Sequence, residues 1–132
     1  VELWATSEMA GTVVVVDAAS KQITHTIKLE VPGLNNDLIQ PVGVLIDKNR
    51  RYAYVALGPA NRVAVINAKT YQVEQYLLVG QRVWNLAFSS DQQRLFTTNG
   101  LSNDVSIIDL ANFKVTKSVA VGRYPWGVAV KP

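Results

Sequence analysis

Apolar residues along the chain come in runs of about six, set apart by polar clusters. Leu3-Trp4-Ala5-Thr6-Ser7 is followed by Thr12-Val13-Val14-Val15-Val16-Asp17 and then by residues 23–29. Runs of this length, rich in β-branched and aromatic residues and closed by Asp, Asn, Ser or Gly, predict β-strands. The i, i+3, i+4 spacing of an amphipathic helix is missing throughout. Val13-Val14-Val15-Val16 is apolar at consecutive positions. A strand with one wet face would alternate, so this run predicts burial on both faces.

The runs repeat. Leu3-Trp4-Ala5-Thr6-Ser7 is matched by Ala53-Tyr54-Val55-Ala56-Leu57 and Leu95-Phe96-Thr97-Thr98-Asn99. The run ending at Asp17 is matched by Arg62-Val63-Ala64-Val65-Ile66-Asn67 and Asp104-Val105-Ser106-Ile107-Ile108-Asp109. A third run covers 23–29, 73–79 and 115–121. A fourth reads Pro41-Val42-Gly43-Val44-Leu45-Ile46, Val83-Trp84-Asn85-Leu86-Ala87-Phe88 and Pro125-Trp126-Gly127-Val128-Ala129-Val130. The period from Asn67 to Asp109 is 42 residues, within the ~40–45 of a four-stranded propeller blade. The expected fold is therefore all-β, three four-stranded antiparallel repeats of a β-propeller in a single segment, 1–132, with repeats near 1–51, 52–93 and 94–132. A β-sandwich or open barrel is the competing architecture, but neither requires a repeating four-strand unit.

Two departures from regularity bear on function. The spacing from Asp17 to Asn67 is eight residues longer than the next one, and the surplus lies in 30–40. That connection leads from an outer strand to the next inner strand. It is expected to be either a binding or lid loop, with Asn36, Asp37 and Gln40 as candidate contacts, or a tolerated surface insertion. The chain also starts on a second strand and ends on an inner one, over 126–131. Three blades alone leave two faces and one strand edge open. The expected remedy is a head-to-tail homodimer that closes a six-bladed ring; the competing expectation is a fragment of a larger propeller that associates only because it was cut.

Composition and charge narrow the chemistry. Of the 132 residues 48% are apolar and 17% charged, a folded globular mixture. The net charge of +3 is small and the cations are scattered, so no nucleic-acid stripe is present. The longest apolar run is far shorter than the ~20 residues that span a bilayer, and neither a nucleic-acid nor a membrane partner is expected. There is no cysteine and one histidine. His25 sits on an expected outer strand, where a solvated role is favoured, and a zinc site is not expected. Asp17, Asp47, Asp91, Asp104 and Asp109 fall at strand ends or turns, where Asp opens turns by bonding its own following backbone. No nucleophile elbow or phosphate loop is present, so no catalytic residue, metal or cofactor is assigned. The remaining candidates are Arg82-Val83-Trp84-Asn85 and Arg123-Tyr124-Pro125-Trp126, in the same connection as the insertion. Each sets an Arg beside an aromatic where an inner strand begins, which suits an anionic or planar ligand. Tryptophans packed between blades and solvated arginines would read the same way.

The third repeat, with Leu95-Phe96-Thr97-Thr98-Asn99, Val105-Ser106-Ile107-Ile108-Asp109 and Val121-Gly122-Arg123-Tyr124-Pro125-Trp126-Gly127-Val128-Ala129-Val130, resembles the YVTN β-propeller repeat. Ala56-Leu57-Gly58-Pro59-Ala60-Asn61-Arg62-Val63 and Tyr76-Leu77-Leu78-Val79-Gly80-Gln81-Arg82-Val83-Trp84 resemble the C-terminal portion of longer β-propeller proteins associated with PQQ-dependent (quinoprotein) alcohol catabolism. That resemblance implies a periplasmic or secreted, non-enzymatic binding or scaffold module. The alternative it leaves is an enzyme or cofactor-binding propeller, lactonase-like or haem-binding, using the same loops.

Overall fold

The computed structural model describes residues 1–132. It contains eleven strands, one short 3-10 turn and no α-helix. β1 (Glu2–Ser7), β2 (Thr12–Asp17) and β3 (Gln22–Lys28) form one sheet. β4 (Val44–Ile46), β5 (Tyr52–Ala56), β6 (Arg62–Asn67) and β7 (Val73–Leu78) form the second. β8 (Val83–Phe88), β9 (Arg94–Asn99), β10 (Asp104–Asp109) and β11 (Lys114–Ala120) form the third. Each sheet is an antiparallel meander of strands consecutive in sequence. These are propeller blades, and the sequence repeats run one strand out of step with them, because the fourth run of each repeat opens the next sheet.

The strand expected over 126–131 does not form, and residues 125–132 follow no ladder. Its partner would be the second strand of a following blade, which this chain does not contain. The mirror image holds at the other end, where the first sheet has three strands and β1 has no inner neighbour. The fourth run after the insertion is also shorter as a strand than expected. The regular ladder starts at Val44. Before it Val42 and Gly43 both bond Ala56 of β5, the Val42 N–H donating to its carbonyl and the Gly43 carbonyl accepting from its N–H at 2.9 Å each, while the Gly43 N–H turns to the Trp84 carbonyl of the next sheet at 3.0 Å.

Two seams hold the blades together. Ala53, Val55, Leu57, Ala64 and Ile66 of the second sheet meet Val13, Val15 and Ile27 of the first. Tyr54, Ala56, Val63 and Val65, on the opposite face of β5 and β6, meet Leu86, Leu95 and Ile108 of the third. The alternation of side chains along a strand sends odd and even positions to different seams, so Ala53–Ala56 of β5 and Val63–Ile66 of β6 are buried at consecutive positions. The same logic corrects the expectation for the valine run. Val13 and Val15 are buried while Val14 and Val16 are only half-buried, because nothing packs on the outer face of the first sheet.

The turns repeat as faithfully as the strands. Non-glycine residues with positive φ fall in matched sets: Lys21, Tyr71 and Phe113; Arg50 and Gln92; Asn61 and Asn103, with Gly11 in their place in the first sheet; Arg82 and Tyr124. Positive φ is costly for most side chains, so its recurrence marks a backbone geometry imposed by the blade. A register shift recurs at Val15/Val16, Val65/Ile66 and Ile107/Ile108, a bulge that raises local twist.

Tyr54 is 2% exposed in the second seam. Burial pushes its phenol well above the usual range, with the charges of Asp47 and Tyr52 adding. Above the ordinary phenol value of about 10 the unfolded chain releases a proton that the folded chain retains, so stability falls as pH rises through that window. In an alkaline absorbance titration Tyr54 should ionise only as the protein unfolds, and Tyr54→Phe should flatten the fall of stability above about pH 10.

Candidate functional site

The inner strands β4 and β8 lie side by side, and the residues that lead into β8 and into the C-terminal segment form the surface beside them. Trp84 and Trp126 occupy matched places, 42 residues apart. Their rings stack 4.4 Å apart at 10°, a contact worth about 0.5–1.5 kcal/mol beyond its area. The Arg82 guanidinium carbon lies 5.0 Å from the Trp84 ring centroid. Gly100 makes room for the indole, since a Cβ there would collide with the Trp84 Nε1.

The Trp126 segment is held in place although it is not a strand. Its carbonyl accepts from Thr98 Oγ1 at 2.7 Å and from Asn85 Nδ2 at 3.1 Å. The first of these bonds recurs where Thr6 Oγ1 donates to the Val42 carbonyl at 2.7 Å. Gly43 permits a close approach of backbones, for a Cβ would stand 2.9 Å from the Trp84 oxygen. Nothing lies within 4 Å of one on Gly127, because no inner strand packs beside it.

The two Arg-aromatic motifs are not superimposable. The Arg82 N–H donates to Asn61 Oδ1 at 2.9 Å, and the Tyr124 N–H donates to Asn103 Oδ1 at 3.0 Å. Arg82 is therefore the counterpart of Tyr124, and Arg123 of Gln81. Matching the motifs by residue type slips them by one position. Gly80 and Gly122 would have given the right alignment. Arg123, Tyr124 and Trp126 are exposed, Trp126 by 58%.

The insertion is anchored rather than free. Val31 and Ile39 are buried in the first seam, and the Gln40 N–H donates to the Leu57 carbonyl at 3.1 Å. Between them Asn35 caps the 3-10 turn Asn36–Leu38, its side chain accepting from the Asp37 N–H at 2.9 Å. Gln40 Nε2 donates to the Asp37 carbonyl at 3.1 Å. Asn36 and Asp37 are exposed on this turn, and no hydrogen bond or ring contact joins them to the tryptophan pair. None of the four surface cavities is lined by a candidate residue, so the stacked tryptophans offer an open surface. No group of three or more His, Cys, Asp or Glu side chains stands close enough to hold a metal ion.

Two side-chain clusters escaped the sequence reading. His25 is exposed as expected, yet its ring stacks 3.6 Å from that of Tyr71, whose other neighbour is Trp4 at 5.8 Å. The Tyr71 hydroxyl donates to Glu2, at 2.8 and 2.9 Å to the two oxygens, which raises its own pKa. The cluster joins the first two sheets through residues far apart in sequence, and no local signal announces it. The second cluster is polar and lies in the seam. Asn99 Nδ2 donates to Asp104 Oδ1 and Ser106 Oγ at 2.9 and 3.0 Å, and its Oδ1 accepts from Thr97 Oγ1 at 2.9 Å. Ser102 Oγ donates to Asp104 Oδ1 at 2.7 Å and accepts from the Gln81 N–H at 2.8 Å. Four of its five members have buried apolar counterparts in the second sheet, Val55, Leu57, Ala60 and Ala64, and Asp104 stands at the place of Arg62, a contrast that alignment of the repeats makes visible.

No protein-family model matches the sequence, and no curated protein does. The fold has many solved counterparts. The hydrazine synthase of Kuenenia stuttgartiensis superimposes with a TM-score of 0.82 at 18% identity, over 93% of this chain and 33% of that one. The WD40 repeats of RRP9 give 0.77 at 14% identity, over 92% and 35%, and U3-55K gives 0.76 at 14%, over 90% and 36%. At such identities the likeness concerns the fold, and the chain spans about a third of the length of each. The chain is thus a three-blade β-propeller segment.

Proposed function

We propose that the chain is a non-enzymatic binding and scaffold module whose inner-edge surface, Arg82, Trp84, Asn85 and Trp126 with Arg123 and Tyr124 at its rim, takes a planar anionic group. The stacked pair Trp84 and Trp126 carries this reading: one ring is exposed, the pair stands beside a guanidinium, and its geometry is fixed by hydrogen bonds rather than by hydrophobic filling. Flat rings supply stacking area and Arg a planar charged fork. The turn carrying Asn36 and Asp37, with Gln40 at its base, belongs to the connection homologous to this rim and is assigned a supporting contact. The association with periplasmic quinoprotein alcohol oxidation rests on the sequence resemblance to that propeller family.

We also propose that a second copy completes the ring head to tail, supported by the two open blade faces. Leu3, Ala5, Val14 and Val16 match the buried Ala53, Val55, Ala64 and Ile66, while Phe96, Val105 and Ile107 match Tyr54, Val63 and Val65. A solution mass of two chains at micromolar concentration is expected, and a monomer overturns the ring.

For the binding surface the probe is a planar aromatic polycarboxylate, followed by quenching of tryptophan fluorescence. Wild type should bind it, and Trp126→Ala or Arg82→Ala should weaken binding about tenfold, the loss of one good stacking or charged contact. Unchanged affinity in both variants would remove the surface from consideration.

A further inference from the structure

The turns of an antiparallel meander alternate between its two ends. The tryptophan surface lies at the end where β5 turns into β6 and β9 into β10. At the opposite end the turns after β4, β8 and β10 border a cavity of about 380 Å³ between the second and third sheets, with Asp47, Arg51, Tyr54, Gln92, Gln93 and Leu110 in its lining. Hydrogen bonds brace its walls. The Lys48 N–H donates to Gln92 Oε1 at 2.8 Å, which ties the turn after β4 to the turn after β8. The Arg51 N–H donates to Asp47 Oδ1 at 2.8 Å, and the Leu110 N–H to the Gln93 carbonyl at 3.0 Å.

Tyr54 lines this cavity although it is only 2% exposed. Its hydroxyl makes no hydrogen bond to the protein. Every side-chain oxygen closed off from solvent has a partner, so the hydroxyl is the part of Tyr54 that opens on the cavity. The seam does not require it. The matched residues in the first and third sheets are Trp4 and Phe96, so an aromatic ring is enough for packing. Burying a hydroxyl without a protein partner is a cost that Phe avoids. A matched hollow of about 470 Å³ lies between the first and second sheets, and Trp4 lines it. The hollow therefore recurs with the blade, and the hydroxyl is what the second seam adds.

The other polar groups of the lining have bonding capacity to spare. The Arg51 guanidinium makes no ion pair or hydrogen bond, Asp47 keeps its second oxygen, and the Gln92 NH2 and the whole Gln93 amide are unengaged. The two charges cancel. Burial is the main cause of the raised Tyr54 pKa, Asp47 adds to it and Arg51 opposes it, so both charges reach the hydroxyl. A charged ligand would meet a like charge with every opposite one. A neutral hydroxylated ligand can donate to the carboxylate and accept from the guanidinium, the amides and the phenol in turn. Tyr52 and Leu110 offer apolar surface for its C–H groups, and the volume falls within the roughly 300–1,000 Å³ of small-molecule pockets. We propose that this cavity binds a neutral sugar, with the Tyr54 hydroxyl bonded to one of its hydroxyl groups. Every lining residue belongs to the second and third sheets of one chain, so the site is independent of ring closure and of the tryptophan surface.

The test is amide chemical-shift mapping on the isotope-labelled full chain, titrated separately with glucose, galactose, mannose and maltose. At least one of these sugars should move the amides of Asp47, Arg51, Tyr52, Gln92 and Gln93 in a saturable way. Tyr54→Phe should weaken that sugar about tenfold, the loss of one hydrogen bond. The change removes a hydroxyl without a protein partner, so the fold should persist, and the remaining amide spectrum verifies it. Gln93→Ala, at an exposed position, should also weaken the sugar and gives the reading if Tyr54→Phe does not fold. No saturable shift with any of the sugars overturns the proposal, as do shifts confined to other parts of the chain. An affinity unchanged in Tyr54→Phe, or in Gln93→Ala where the first variant does not fold, overturns it too. Sodium acetate and tetramethylammonium chloride are the charged probes, and tighter binding of either at the same amides overturns the ligand class.

Discussion

Asn99→Leu is expected to destabilise the protein by about 3–5 kcal/mol, a large share of the stability of a small domain. The substitution is close to isosteric and removes no packing. It leaves the Thr97 hydroxyl without its acceptor and Ser106 Oγ without its donor in a seam closed to water, and takes from the Asp104 carboxylate one of its two side-chain donors. Every buried side-chain nitrogen and oxygen now has a partner, so the loss has nothing to absorb it. Chemical denaturation reads the effect directly. The control is the set Thr97→Val, Asn99→Leu, Ser102→Ala, Asp104→Arg and Ser106→Ala, which installs the residues of the second sheet at the matched places, including Arg62, whose guanidinium donates to the Ala60 carbonyl. It should recover most of the loss, because replacing a buried polar network as a whole is far cheaper than removing one member of it. If the fivefold variant is no better than Asn99→Leu, the network is held by shape and not by its hydrogen bonds.

Leu95→Ala should cost about 2–5 kcal/mol, the usual range for truncating a leucine in a packed core. Leu95 is fully buried between the second and third sheets. Its counterpart Leu3 is 57% exposed on the face of the first sheet, and Leu3→Ala should cost under about 1 kcal/mol at concentrations where the chain is monomeric. The two substitutions remove the same atoms from matched places, so their difference isolates the presence of a neighbouring blade. In concentrated protein the Leu3→Ala cost should climb toward that of Leu95→Ala as a second copy covers the face. A Leu3→Ala penalty independent of concentration would mean that this face stays open. Thermal unfolding at two protein concentrations is sufficient.

The repeat made the blade architecture legible because one backbone geometry is written three times, and a strand needs only its own pattern of apolar and turn residues to be recognised. What failed did so for want of a neighbour. The segment 126–131 has the composition of an inner strand, but a strand exists only in a ladder, and its partner is not in the chain. Val14 and Val16 have the composition of a core and are half-buried for the same reason. The stacked tryptophans were foreseeable from Trp84 and Trp126 at one repeat spacing, whereas the pairing of Arg82 with Tyr124 depended on an alignment by glycines. The Trp4, Tyr71 and His25 stack joins two sheets by chain folding alone. Glu2 reaches Tyr71 across almost seventy residues, and nothing in either segment points to the other.

Each of the three sheets pairs only strands that follow one another in sequence, and the seams join sheets that are adjacent in sequence. No strand pairing therefore waits on a distant part of the chain to arrive, and the loop-closure entropy that slows β-proteins is met in small instalments. The middle sheet, with neighbours on both sides, is the natural seed, and the flanking sheets add to it outward as in a one-dimensional array. The same economy explains how such a chain can grow: copying one 42-residue unit adds a blade that presents the same face it covers, so length changes without a new fold being required.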